Sequence, residues 1–300
     1  KISKKTSAIM VVHYAGLAVD MKPILDLGYP VIEDAAHAID STYDGQACGT
    51  IGDVGIFSSS LIKIPTTLGG GILITSNKDL VDYINSWKKE NFFKLIKKDF
   101  LLIIKNIISI ANSFPFLYSI LSSKILFFLN RFNPRAYRKI VYSGMGLKNQ
   151  IFDPNERNDL SKYQLEFGIS QLKKLDIMQE TRAENSKYLK QKLSGIKNIS
   201  FLEYDENIKW NYQYFIIKIE KDYEEFNKKI FKLGIHAMEE NVWNCLDYNY
   251  SIINANDDFK ITIENNKKIL RIQNSSYLTK KNLDKIIKAI IVSANVWKSK

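Results

Sequence analysis

The chain has 300 residues, with 43 Lys or Arg against 32 Asp or Glu, a formal net charge of +11, and 45% hydrophobic residues. That composition fits one α/β enzyme with a large and a smaller domain and enough apolar residues for a sizeable core. Its two cysteines, Cys48 and Cys245, form no CxxC pair, which excludes a disulfide scaffold or structural zinc site and fits a reducing cytoplasm; His13, His37 and His236 are too scattered for a metal cluster.

In chain order, the sequence begins Lys1-Ile2-Ser3 with no signal-peptide pattern. Residues 6–12 read as a strand followed by HYAGLAVDM, and His13 at its end either faces a site or, on the favoured reading, is structural. Residues 29–33 have the apolar, β-branched character of a buried parallel strand, with a small-residue helix or turn at 35–38. Asp34 therefore sits at the carboxyl end of a strand, where open α/β sheets bind ligands. A second apolar run, 54–57, ends in Ser58-Ser59-Ser60 and leads to Lys63, and a third, 72–75, comes after Gly69-Gly70-Gly71.

A strand-end aspartate, a serine-rich strand end and a loop lysine form one workable arrangement for pyridoxal phosphate. A lysine amine bonds the cofactor aldehyde, a carboxylate keeps the pyridine nitrogen protonated, and a hydroxyl binds phosphate. Taken singly, the same residues have plain readings: a strand-end Asp also caps turns and helices, and a loop Lys is usually just solvated.

After a helical stretch at 80–87 comes a basic and apolar segment. Residues 88–139 hold eleven Lys or Arg against Glu90 and Asp99, so most of the net charge is local, and it is not a nucleic-acid footprint spread over the fold. Three readings compete for it. Lys105, Lys124 and Pro115 interrupt its apolar runs, 100–110 and 114–129, which disfavours a spanning helix. Amphipathic helices on an anionic membrane surface and a helical hairpin packed against protein both remain open.

Residues 152–193 read as a long helix, with Leu165, Ile169, Leu172 and Leu175 as its apolar stripe. Beyond it, 199–204, 212–219 and 269–273 read as strands, 223–233 as a helix closed by Gly234, and 283–292 as an amphipathic helix capped by Thr279. The expected domains are a partial large cofactor-binding domain at 1–87, a basic helical insertion at 88–150, a long linking helix at 151–186 and a small α/β domain at 187–300.

The motifs IEDAAHA at 32–38 and GDVGIFSSSLIKIPTTLGGG at 52–71 resemble, in order and separation, those of the DegT/DnrJ/EryC1/StrS family of pyridoxal-phosphate-dependent aminotransferases, which aminate nucleotide-linked keto-sugars. The resemblance implies an α/β fold of fold-type I, comprising the C-terminal part of the large mixed-sheet domain plus a smaller α/β domain. It implies that Asp34 pairs with the pyridine nitrogen, His37 lies beside the phenolic oxygen, Ser58 binds phosphate and Lys63 carries the cofactor. A dehydratase branch of the family has His at the lysine position, so Lys63 favours transamination. HYAGLAVDM resembles a family segment that normally lies well inside the polypeptide, which implies that the family's N-terminal part is missing from this sequence.

The resemblance thus leads us to expect an aminotransferase of polysaccharide or glycoconjugate biosynthesis, with an amino-acid donor, glutamate in the family, and a shared-site homodimer. Its expected place is the cytoplasm, with peripheral contact at the inner membrane surface through 88–139 left open. Several departures support an alternative, a catalytically degenerate or truncated member serving as a membrane-surface interaction protein. They are Ser59 for Phe, Leu68-Gly69 for Gly-Glu, and Arg157, beside Asn158, where the family usually has an Asn reaching the partner's cofactor phosphate.

Overall fold

The computed structural model describes residues 2–60, 63–92, 132, 159–235, 238–239, 265 and 268–294. Most of the expected insertion at 88–150, together with Arg157, Asn158, His236 and Cys245, lies outside the described residues. Among the described residues no helix is long and apolar enough to cross a membrane. The chain divides into two compact units, one of Lys1–Thr66, Gly71–Ser76 and Gly168–Lys300, the other of Thr67–Gly70 and Asn77–Phe167.

In the first unit the chain enters through β1 (Ile9–Val12), helix α1 (Lys22–Leu25) and β2 (Val31–Asp34), then β3 (Thr42–Tyr43), β4 (Gln46–Ala47), β5 (Val54–Ser58) and β6 (Gly71–Ile74). One sheet has the order β1-β2-β5-β6: the first three strands are parallel, and β6 runs antiparallel to β5. The register places Val12, Asp34 and Ile56 side by side, so the strand ends meet at one edge of the sheet. Val11, Val31, Met21, Ala35, Ala38 and Cys48 bury one side of it. The strand expected at 6–12 begins only at Ile9, and 35–38 is a turn rather than a helix, because Asp34 Oδ1 takes the Ala36 N–H and Ala38 N–H returns to Ala35 O.

The long helix expected at 152–193 is two helices within its described part, α3 (Lys162–Leu172) and α4 (Leu175–Leu193). At the break Lys174 leaves helical geometry (φ −108°, ψ 2°), and its N–H closes back to Gln171 O. The stripe read from the sequence does not reach the core either: Leu165, Ile169 and Leu172 are each about half exposed, at 47%, 53% and 47%. What α4 buries is largely polar, namely Gln179, Arg182, Asn185 and Ser186, followed by Leu189 and Leu193. That face can be buried because most of its polar groups are partnered, Arg182 Nε being the exception. Gln179 Nε2 donates to Trp210 O (3.0 Å), Asn185 Nδ2 to Asn274 Oδ1 (3.2 Å), and Asn274 Nδ2 to Arg182 O (2.8 Å).

The remaining elements of this unit are β7 (Ile199–Phe201), β8 (Ile208–Lys209), β9 (Tyr214–Ile219), α5 (Tyr223–Lys232), β10 (Met238–Glu239), β11 (Ile269–Gln273) and α6 (Lys280–Ala294). They build an antiparallel sheet of order β10-β11-β9-β7, while β8 pairs with β3. Tyr223, Phe226 and Ile230 of α5 and Leu283, Ile286, Ile287 and Ile290 of α6 recur at helical spacing and meet Ile217, Ile219, Leu270 and Ile272 in one core. Each such buried side chain contributes about 1.5–3 kcal/mol. Thr279 Oγ1 accepts the Asn282 N–H and caps α6, and Gly234 (φ +83°) ends α5 with Ile235 N–H returning to Ile230 O.

In the second unit, helix α2 (Lys78–Asn91) extends beyond the 80–87 read from the sequence and is capped by Asn77, whose Oδ1 accepts the Leu80 N–H. Gln164 Nε2 donates to Thr67 O at 3.0 Å.

Candidate active site

The site residues read from the motifs fall at the strand ends of the first sheet. β2 delivers Asp34, whose Oδ1 caps the turn that carries His37. The carboxylate thus has the capping role that the plain reading allowed, and its charge favours the protonated form of Lys63. The segment holding Lys63 is braced by local bonds and by α3, with Lys63 N–H donating to Ser60 O (2.9 Å), Thr66 Oγ1 to Ser59 O (3.2 Å) and Thr66 N–H to Gln171 Oε1 (3.4 Å). Burial, opposed by Asp34 and reinforced by the charge of Arg271, pushes the Lys63 amine down to about 8.

His37 is pushed down to about 4, by burial first and then by the charges of Lys63 and Arg271, so its imidazole is neutral at ordinary pH. Its Nδ1 accepts the Ala15 N–H at 3.3 Å, which leaves the ring hydrogen on Nε2 as the donor. The rings of Tyr14 and Tyr214 stand edge-on to it, each with centroids 5.8 Å away. Ser58 ends β5, and its Oγ accepts the Ser60 N–H over a long 3.5 Å.

Electrostatics therefore join Asp34, His37 and Lys63, and add a residue absent from the motif reading. Arg271, 3% exposed on β11, lays its guanidinium against the faces of Tyr14 and Tyr214, 5.0 and 4.9 Å from their centroids. A lone arginine inside the apolar strand ILRIQ was the sequence signal for it. His13 is not part of this cluster. It is fully buried, takes the Val19 N–H on Nδ1 and donates from Nε2 to Glu33. Two cavities, of about 380 and 440 Å³, lie instead against α4 and Trp210.

The model of the DegT/DnrJ/EryC1/StrS aminotransferase family matches residues 1–98 and 149–291. Among curated proteins, the uncharacterized protein MJ1066 of Methanocaldococcus jannaschii is 26% identical over 248 residues, 78% of this chain and 54% of its own length. The chain thus spans about half the length of that relative. Among solved structures, the aminotransferase TlmJ from Streptoalloteichus hindustanus superposes with a TM-score of 0.69 at 17% identity, covering 98% of this chain and 67% of that one. The sugar aminotransferase CalS13 from Micromonospora echinospora does so at 0.67 and 21% identity, covering 97% and 69%. These likenesses show the fold, fold-type I of the pyridoxal-phosphate aminotransferases, and with the match of the family model over most of the sequence, the chain belongs to the DegT/DnrJ/EryC1/StrS aminotransferase family.

Proposed function

We propose that the protein is a pyridoxal-phosphate-dependent sugar aminotransferase that moves an amino group from an amino acid, glutamate by the family resemblance, to a nucleotide-linked keto-sugar in polysaccharide or glycoconjugate biosynthesis. The observation that carries this reading is Lys63, a largely buried amine held at about 8 beside Asp34 and His37. At pH 7 about a tenth of such an amine is uncharged, against well under a thousandth of an ordinary lysine near 10.4.

The residues present fit pyridoxal phosphate in chemical kind: an amine of lowered basicity, a carboxylate at a strand end, a neutral imidazole with its hydrogen on Nε2, and a strand-end hydroxyl. When bound, the cofactor supplies an aldehyde for the amine and an electron-withdrawing pyridinium ring. Lys63 Nζ would hold the cofactor and would then serve as the base that moves the proton from the donor α-carbon. Asp34 would hold the proton of the pyridine nitrogen, His37 Nε2–H would donate to the phenolic oxygen, and Ser58 Oγ would serve the phosphate. Arg271, presented between two tyrosine rings and near enough to Lys63 and His37 to depress both, is placed to receive a carboxylate of the amino donor. The same proposal includes a homodimer with a shared site and a cytoplasmic location.

The test takes the full-length gene product with pyridoxal phosphate, records its visible absorption before and after borohydride, and maps the modified peptide. The expected result is a visible band lost on reduction and a label on Lys63, followed by glutamate-dependent amination of a nucleotide keto-sugar. No band, or a label on another lysine, would overturn this reading and favour a degenerate relative.

A further inference from the structure

The stretch 210–214, which leads into β9, touches the His37 turn with Asn211 and Tyr214 and the neighbouring Ala15 with Trp210. Asn211 is 1% exposed, and its Nδ2 donates both to His37 O (2.7 Å) and to Ile39 O (2.9 Å). Its Oδ1 accepts the Gln213 N–H (3.0 Å) and its own N–H reaches Ser41 Oγ (3.3 Å), so every polar end of the side chain is used. Trp210 Nε1 donates to Ala15 O at 3.0 Å, and the same Ala15 supplies the N–H that His37 Nδ1 accepts. Tyr214 closes on the imidazole edge. Gly16 makes room for this: a Cβ there would stand 2.1 Å from Asn211 Oδ1.

We infer that Asn211, with Trp210, is a positioning residue that fixes the orientation and tautomer of His37 and so aims its Nε2–H toward the ligand. The inference concerns His37 itself, and its consequence for amination rests on the function proposed above. The amide fixes the turn carbonyl, the indole fixes the Ala15 carbonyl and so holds that residue, and the Ala15 N–H, in the preceding peptide unit, selects which imidazole nitrogen bears hydrogen. The indole link is a buried hydrogen bond, of the kind that costs about 1–3 kcal/mol to leave unmade, and the other two are part-buried. The two groups are remote in the chain, so their joining couples the antiparallel sheet to the parallel one at the reacting end. Burial with Lys63 and Arg271 nearby keeps the ring neutral, and neutrality preserves its ability to accept from Ala15.

The test is a pH titration of the histidine imidazoles by nuclear magnetic resonance in the cofactor-free full-length protein. The variants are Asn211→Leu, which keeps the approximate shape and adds no charge but removes the amide donor, and Trp210→Phe, which removes the indole N–H together with its five-membered ring. The expected result is that His37 titrates near pH 4 with hydrogen on Nε2 in the parent. In both variants it shifts up by at least one pH unit or becomes a tautomer mixture, while His13, held by Glu33, keeps its signal. In the loaded enzyme kcat falls about tenfold or more with the donor KM little changed. If both variants fold and His37 keeps its titration and tautomer, the inference is overturned, whatever happens to melting temperature. If His37 shifts but the parent aminates nothing, the positioning stands and the functional reading fails.

Discussion

His13 Nε2 donates to Glu33 Oε2 at 2.8 Å with both side chains fully buried, and the N–H groups of Gly49, Ile51 and Gly52 converge on the same carboxylate at 2.7, 2.7 and 2.6 Å. One anion inside the sheet thereby folds the loop that feeds β5 and so aligns Ser58 and the Lys63 segment. Burial raises the proton affinity of Glu33, but the bonds from His13 and the three backbone groups outweigh it and hold the carboxyl below its ordinary 4.5. A carboxyl with a lowered folded value contributes stability above its unfolded value and loses it as pH falls through the folded one. Glu33→Gln is therefore expected to cost about 3 kcal/mol at pH 7 in urea unfolding and to flatten the loss of stability below about pH 4.5. Equal stability of variant and parent would remove the network from the account.

Lys63 at about 8 predicts selective chemistry. As pH rises through 8 its amine loses a proton while exposed lysines near 10.4 keep theirs, so a limiting amount of an amine-acylating reagent at pH 8 is expected to label Lys63 first among the lysines. Because the Asp34 charge favours the protonated amine, Asp34→Asn lowers the midpoint further and raises the labelling rate at pH 7. Peptide mapping by mass spectrometry reads both outcomes, and a rate profile with no midpoint below 9.5 contradicts them.

Arg271 depresses the proton affinity of His37 and offers a guanidinium braced by two rings. Arg271→Met is expected to raise the His37 midpoint above 4 and to weaken the amino donor by about 2 kcal/mol, roughly 30-fold in KM, with the keto-sugar little affected. Arg271→Lys retains charge without the planar fork, so it restores the His37 midpoint better than it restores donor affinity.

Gly55 lies on β5 where a Cβ would fall 1.8 Å from Gly49 O, a clash with backbone that no side-chain rotation relieves. Gly55→Ala is expected to destabilise by about 3 kcal/mol. It also displaces the loop bonded to Glu33, seen as loss of amide-exchange protection at Gly49, Ile51 and Gly52. Unchanged protection at these three amides would contradict the packing described.

Local pattern was enough to place the strand ends and their residues. β2 and β5 are apolar runs bounded by turn residues, so short-range pattern located the strands, while the roles of Asp34, His37, Ser58 and Lys63 within or just beyond them came from the motif resemblance and not from spacing. The same holds for α5 and α6, whose apolar spacing matches the buried face. Pattern misled at 152–193, because periodicity assumes that apolar residues face the core. In α4 the buried face is polar, and it is satisfied by Trp210 O and Asn274, partners remote in the chain. The surroundings of the site came from the folded chain alone. Arg271 reaches Tyr14 and Tyr214 because β11 pairs with β9, and Asn211 reaches His37 because β8 pairs with β3. Whether a buried cation or amide meets a carbonyl, a ring or another charge depends on strand pairings closed across most of the chain, and those contacts leave no local period for a sequence to display.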